Sequence, residues 1–175
     1  MKAVRFGNYF TFNVHPFNLV TAIVTGSCWV HTGAVWEMEG GDNWQFEMQF
    51  RSGLVGPREF ERVVAWANAR PWRKLVVLWL PLHLGGPQQK WAEAHRLKGS
   101  VKGYAKSELM AHWARRRLGW EMPHDPTLMT CGELTSTLDA PEYLLLDEKH
   151  RTHDAVDPGH ACRTLRAILG GRITI

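Results

Sequence analysis

The segment from Trp29 to Phe50 constrains the fold more than any other. Trp29-Val30-His31-Thr32-Gly33-Ala34-Val35-Trp36-Glu37 is dense in β-branched and aromatic residues, and Trp44-Gln45-Phe46-Glu47-Met48-Gln49-Phe50 alternates apolar with polar side chains. Gly40-Gly41-Asp42-Asn43 lies between them as a turn signal, with Asp42 a turn former, so the stretch predicts an antiparallel hairpin. Trp44, Phe46, Met48 and Phe50 then share one face, leaving Gln45, Glu47 and Gln49 on the other. His31 and Glu47 fall toward the open end of the hairpin on neighbouring strands. A carboxylate there can fix one imidazole nitrogen and leave the other free as a base. Glu37, nearer the turn, is the weaker candidate for that acid.

The remaining chain supplies one more strand before the hairpin and mixed elements after it. Residues 4 to 14 alternate through Phe6, Tyr9, Phe10, Phe12 and Val14, which predicts a strand or hairpin. His15-Pro16-Phe17-Asn18 reads as a turn and Leu19 to Val24 as a short helix or strand. Pro57, followed by Phe60, Val63, Val64 and Ala67, predicts a helix opened by proline and ended near Arg70-Pro71. Leu75 to Leu80 is an apolar run suited to a buried strand, broken by Gly85-Gly86-Pro87. Helical periodicity returns over about 88–97 and 107–118, and a last helix is expected over about 160–169, capped by Asp157-Pro158-Gly159. A small antiparallel sheet or partial barrel packed with helices follows, an α+β class, in one domain spanning 1–175.

Thr130-Cys131-Gly132-Glu133-Leu134-Thr135-Ser136-Thr137-Leu138 places Leu134 and Leu138 at helical spacing behind a polar Thr, so Cys131 falls in the first turn of a helix. Orphan N–H groups and the positive end of the helix dipole favour the thiolate there. The other reading of Cys131 is a small buried hydrophobe. The three cysteines, Cys28, Cys131 and Cys162, are an odd and sparse set that argues against a disulfide framework and fits a reducing, cytoplasmic setting. A formal charge of +4 is too modest to indicate nucleic-acid binding, and Arg115-Arg116-Arg117 reads as a solvated helix face. Polar interruptions rule against a secretion signal near Phe17 to Val24, and no apolar run is long enough to span a bilayer. His150, His153, Asp154, Asp157, His160 and Cys162 are metal-ligating types, but their spacing matches no strong zinc pattern, so no metal or other cofactor is expected.

Thr25-Gly26-Ser27-Cys28-Trp29-Val30-His31-Thr32-Gly33 resembles the T-G-S-x-W-S-H-V-G segment of circularly permuted papain-like hydrolases, the YiiX-like branch of the NlpC superfamily. Glu47 is similar to that group's acid on the next strand, Thr130 to Leu134 to its F-C-S-E-L nucleophile segment, and Val156-Asp157-Pro158-Gly159 to its closing V-T-P-G-D. Gly103-Tyr104 sits where the family often has P-Y-D. Val30 and Gly132 each replace a serine of the family pattern, Lys106 stands where an acid is common, and the family's early G-D strand has no counterpart.

The resemblance implies a permuted papain-like, NlpC-like fold. It also implies a thiolate of Cys131 activated by His31 and oriented by Glu47, attacking an amide, ester or thioester carbonyl. The oxyanion would be held by the Cys131 N–H and one more donor, with Tyr104 a candidate. Cys28, beside Trp29, is a rival nucleophile that lacks a helix N-terminus. The leading expectation is an amidase or peptidase acting on a peptide or peptidoglycan fragment. The alternatives are a lipid deacylase or acyltransferase acting on a lipid-like acyl substrate, or a non-catalytic binding or assembly module. Oligomeric state is not legible in the residues.

Overall fold

The expected hairpin is present in the computed structural model, and a five-stranded sheet is built around it. Residues 1–25, 27–82, 86–105, 125, 127–138, 162, 165 and 166 are described, without the side chains of 17, 21, 24, 25 and 136. The elements run β1 (Ala3–Phe12), α1 (Pro16–Thr25), β2 (His31–Met38), β3 (Asn43–Gln49), β4 (Gly53–Glu59), α2 (Glu61–Asn68), β5 (Lys74–Trp79), α3 (Pro87–Ser100), β6 (Gly103–Tyr104), β7 (Leu128–Met129) and α4 (Cys131–Leu138). The sheet order is β4-β3-β2-β1-β5, every pair antiparallel. Because β4 and β5 are its two edges, the sheet is open, and the partial-barrel alternative is replaced by an α+β sheet packed with helices. β6 and β7 form a separate parallel pair.

The period-two patterns decide what each face buries. Phe6, Phe10, Ala34, Trp36, Phe46, Met48 and Leu78 point to one side, where they pack with Trp91, Ala94 and Leu97 of α3 and with Cys131, Leu134 and Leu138 of α4. Trp36 is fully buried, with edge-on contacts to Phe46 at 5.6 Å and Trp91 at 5.3 Å. Each such aromatic contributes about 1.5–3 kcal/mol by leaving water. Phe50, expected on this face, lies past the end of β3 and is 46% exposed. Tyr9, Val35 and Val77 point to the other side, where Phe60, Val63 and Val64 cover them.

The helix expected to open at Pro57 begins instead at Glu61, and Pro57 lies within β4. Arg58 pairs with Gln45 and Glu59 with Trp44, and the Phe60 N–H continues the ladder to the Asn43 carbonyl at 2.9 Å. Pairing with β3 outweighs the local helical pattern. An edge strand tolerates proline because one side of its backbone has no ladder to complete. Gly56, at φ 150°, is required there, since a Cβ would stand 2.6 Å from the Phe46 ring.

The first strand is single rather than a hairpin, and the segment read as helix or strand is the helix α1. The expected break before α3 is met by Gly86 as N-cap and Pro87 in the first turn. Lys90 of α3 is buried, its Nζ donating to the Leu138 carbonyl at the end of α4 and lying 5.0 Å from the Phe6 ring. Among the described residues no helix is long and apolar enough to cross a membrane. The expected helix at 107–118, Arg115 to Arg117, Lys106 and most of the closing segment fall outside the described residues.

Candidate active site

The β2–β3 register brings His31 and Glu47 together. Gly33 is the direct partner of Glu47, so His31, two residues earlier on the same face, is its diagonal neighbour. His31 Nε2 and Glu47 Oε2 are 2.8 Å apart, with the two side chains 28% and 14% exposed. The carboxylate is held from two further directions. Gln49 Nε2 donates to Oε1 at 2.8 Å, and the Tyr9 hydroxyl donates to Oε2 at 3.0 Å. Gly33 makes room for that phenol, because a Cβ there would lie 2.5 Å from the Tyr9 oxygen. The same hydroxyl contacts the Gln45 side-chain amide. That contact is to Gln45 Oε1, also an acceptor, so the single phenol hydrogen is shared between the amide and carboxylate oxygens.

Cys131 arrives from the opposite side of the sheet, as the first residue of α4. Thr130 and Glu133 form a capping box: the Glu133 N–H donates to Thr130 Oγ1 at 3.2 Å, and Glu133 Oε2 accepts from the Thr130 N–H at 2.5 Å. The helix is also latched to β2. Thr135 Oγ1 donates to the Cys131 carbonyl at 3.2 Å and meets Thr32 Oγ1 at 3.0 Å, while Thr32 Oγ1 donates to the Tyr9 carbonyl at 2.9 Å. Thr32 follows His31 directly, so one stretch of β2 carries the imidazole and holds the helix that carries the thiol.

His31, the Thr32 backbone N–H and the Tyr104 hydroxyl lie near enough to the sulfur to stabilise its negative charge. Since Nε2 of His31 is engaged by Glu47, Nδ1 is the nitrogen left for the sulfur. Burial alone raises the thiol pKa, yet the bonds and charge from His31, with Thr32 and Tyr104, outweigh it and hold Cys131 below its ordinary value. Burial likewise opposes the imidazolium, but Cys131 and Glu47 raise His31 to about 10. Burial opposes ionisation of Glu47 too, and His31, Gln49 and Tyr9 bring it down to about 2. All three shifts favour a thiolate, an imidazolium and a carboxylate in a row.

The other sequence candidates lie elsewhere. Cys28 is exposed. Glu37 pairs with Asn43 at the turn end of the hairpin and lies 3.9 Å from Arg5. Asp42 is exposed in the turn, beside Gly41 at φ 87°. Among the described residues no group of three His, Cys, Asp or Glu side chains is placed to hold a metal ion, and of the proposed cluster near the end of the chain only Cys162 is described. Sequence reasoning overlooked Tyr9, Thr32, Gln49 and Glu133. The Thr-x-x-Glu spacing at 130–133 was a readable signal for the last.

A cleft of about 480 Å³ opens on the His31 and Glu47 side, with Tyr104 at its margin and Arg58, Arg62 and Trp66 among its walls. No protein-family model matches this chain, and no curated protein matches it either.

Proposed function

We propose that this domain is a cysteine hydrolase of the permuted papain-like type, an amidase or peptidase, with Cys131 as nucleophile, His31 as base and acid, and Glu47 as orienting carboxylate. The observation that supports this reading best is that His31 meets Glu47 at 2.8 Å and lies near enough to Cys131 for each to shift the other's ionisation toward thiolate and imidazolium. In such a site the thiolate adds to the carbonyl carbon, and the developing oxyanion takes hydrogen bonds from the Cys131 N–H at the helix tip and from Tyr104. His31 gives its proton to the departing amine, leaving a thioester. His31 then takes a proton from water, which attacks the thioester, and the proton returns to sulfur as the acid product leaves.

A lipid-like acyl substrate is the second reading. It is supported by Leu19, Val20 and Ile23, which are 42%, 55% and 79% exposed on α1, whose Asn18 lines the cleft. A panel of fluorogenic peptide amides, acyl esters and thioesters, run with the wild type and Cys131→Ala, tests both. Hydrolysis that disappears in Cys131→Ala is expected. Full activity without the thiol would end the hydrolase reading, and preference for long acyl esters over peptides would select the second. A free thiolate is best preserved in a reducing compartment, which supports a cytoplasmic site of action.

A further inference from the structure

Arg58 and Arg62 wall the same cleft as His31 and Glu47. Arg58 sits on β4 opposite Gln45, and Arg62 is in the first turn of α2, which covers that face of the sheet. The Arg58 guanidinium has no hydrogen bond or ion pair among the described residues. Arg62 reaches Glu59 only at 3.9 Å with both side chains largely in water, a contact of little strength. Glu47 is the one carboxylate among the described residues lining the cleft, and it is engaged by His31, Gln49 and Tyr9. Among the described residues the cleft therefore offers two guanidinium groups with no firm counter-charge, beside an apolar wall of Val63 and Trp66.

We propose that Arg58 and Arg62 form an anion subsite that selects substrates carrying a carboxylate beyond the scissile bond, most simply the free end or an acidic side chain of a short peptide. This specificity role rests on the hydrolase reading, although the subsite itself is a matter of binding. Guanidinium forks bind carboxylates with two parallel hydrogen bonds, and two like charges side by side are relieved by an anion between them. Asn13, Asn18 and Gln49 line the same cleft, bringing amide donors and acceptors suited to peptide groups.

The test has two arms. In the first, N-acetyl-triglycine and its C-terminal amide are titrated by NMR into Cys131→Ala protein, with Arg58→Gln and Arg62→Gln in that background and inorganic phosphate as competitor. The carboxylate is expected to bind about tenfold more tightly than the amide, with the preference falling toward one in the Gln variants, weakening in salt and partly returning in Arg58→Lys. In the second, chloroacetyl-triglycine and its amide alkylate Cys131 of the otherwise native protein, sulfur displacing chloride, and the rate ratio should follow the same order. No carboxylate preference in binding, a preference indifferent to both arginines, or phosphate binding more tightly than the carboxylate overturns the subsite. A sluggish Cys131 alongside arginine-dependent binding leaves the subsite standing and removes the hydrolase reading alone.

Discussion

Thr32 and Thr135 meet hydroxyl to hydroxyl at 3.0 Å, although 103 positions separate them. The Thr32 backbone N–H also lies near enough to the Cys131 sulfur to favour its thiolate, and the Thr135 hydroxyl donates to the Cys131 carbonyl. Two unremarkable side chains thus tie the helix of the thiol to the strand of the imidazole.

Replacing Thr135 by Val is expected to destabilise the domain by about 0.5–1.5 kcal/mol, since it removes the hydroxyl that bonds the Cys131 carbonyl and meets Thr32, while Thr32 keeps its bond to the Tyr9 carbonyl. Urea unfolding measures the loss. The alkylation rate of Cys131 should fall in the same variant, because the helix tip is no longer fixed against β2.

His31→Ala removes the group that brings the Cys131 pKa down and leaves the burial that pushes it up. The thiolate fraction at pH 7 should fall, and the alkylation rate of Cys131 with it. Mass-spectrometric alkylation kinetics can read Cys131, Cys28 and Cys162 separately. In the wild type Cys131 should remain reactive below about pH 8.5, where an ordinary cysteine is mostly protonated.

Glu47 has a folded pKa of about 2 against an ordinary 4.5. Its contribution to stability is therefore complete above about pH 4.5 and is lost as the pH falls toward 2. Glu47→Gln should flatten that acid limb of the unfolding curve. His31, raised from 6.5 to about 10, works on the alkaline side: its contribution is complete below about pH 6.5 and is lost as the pH climbs toward 10.

Gly33→Ala puts a methyl group 2.5 Å from the Tyr9 oxygen and 2.6 Å from two of its ring carbons. The cost expected is about 1–3 kcal/mol. Adding Tyr9→Phe should not restore stability, because the ring carbons clash as much as the oxygen does. Thermal unfolding of the single and double variants checks this.

The hairpin was legible because its signals are local: alternation on either side of Gly40 to Asn43 needs no knowledge of the rest of the chain. Pro57 was misread because its role depends on a neighbour, β3, that a helical pattern in sequence does not reveal. Cys131, His31, Glu47 and Tyr104 were each nameable from their motifs, and the structure brings them together. Tyr9 was not, since in an alternating strand it reads as one more buried ring. Its hydroxyl acquires a task only through the register that sets Tyr9 opposite Gly33 and Gly33 opposite Glu47.

All five strands of the sheet are encoded ahead of Cys131. A chain emerging from its N-terminus can thus finish the imidazole, its carboxylate and the Thr32 anchor before the sulfur is synthesised. Of the three groups the sulfur is made last, after the strands that carry its two partners.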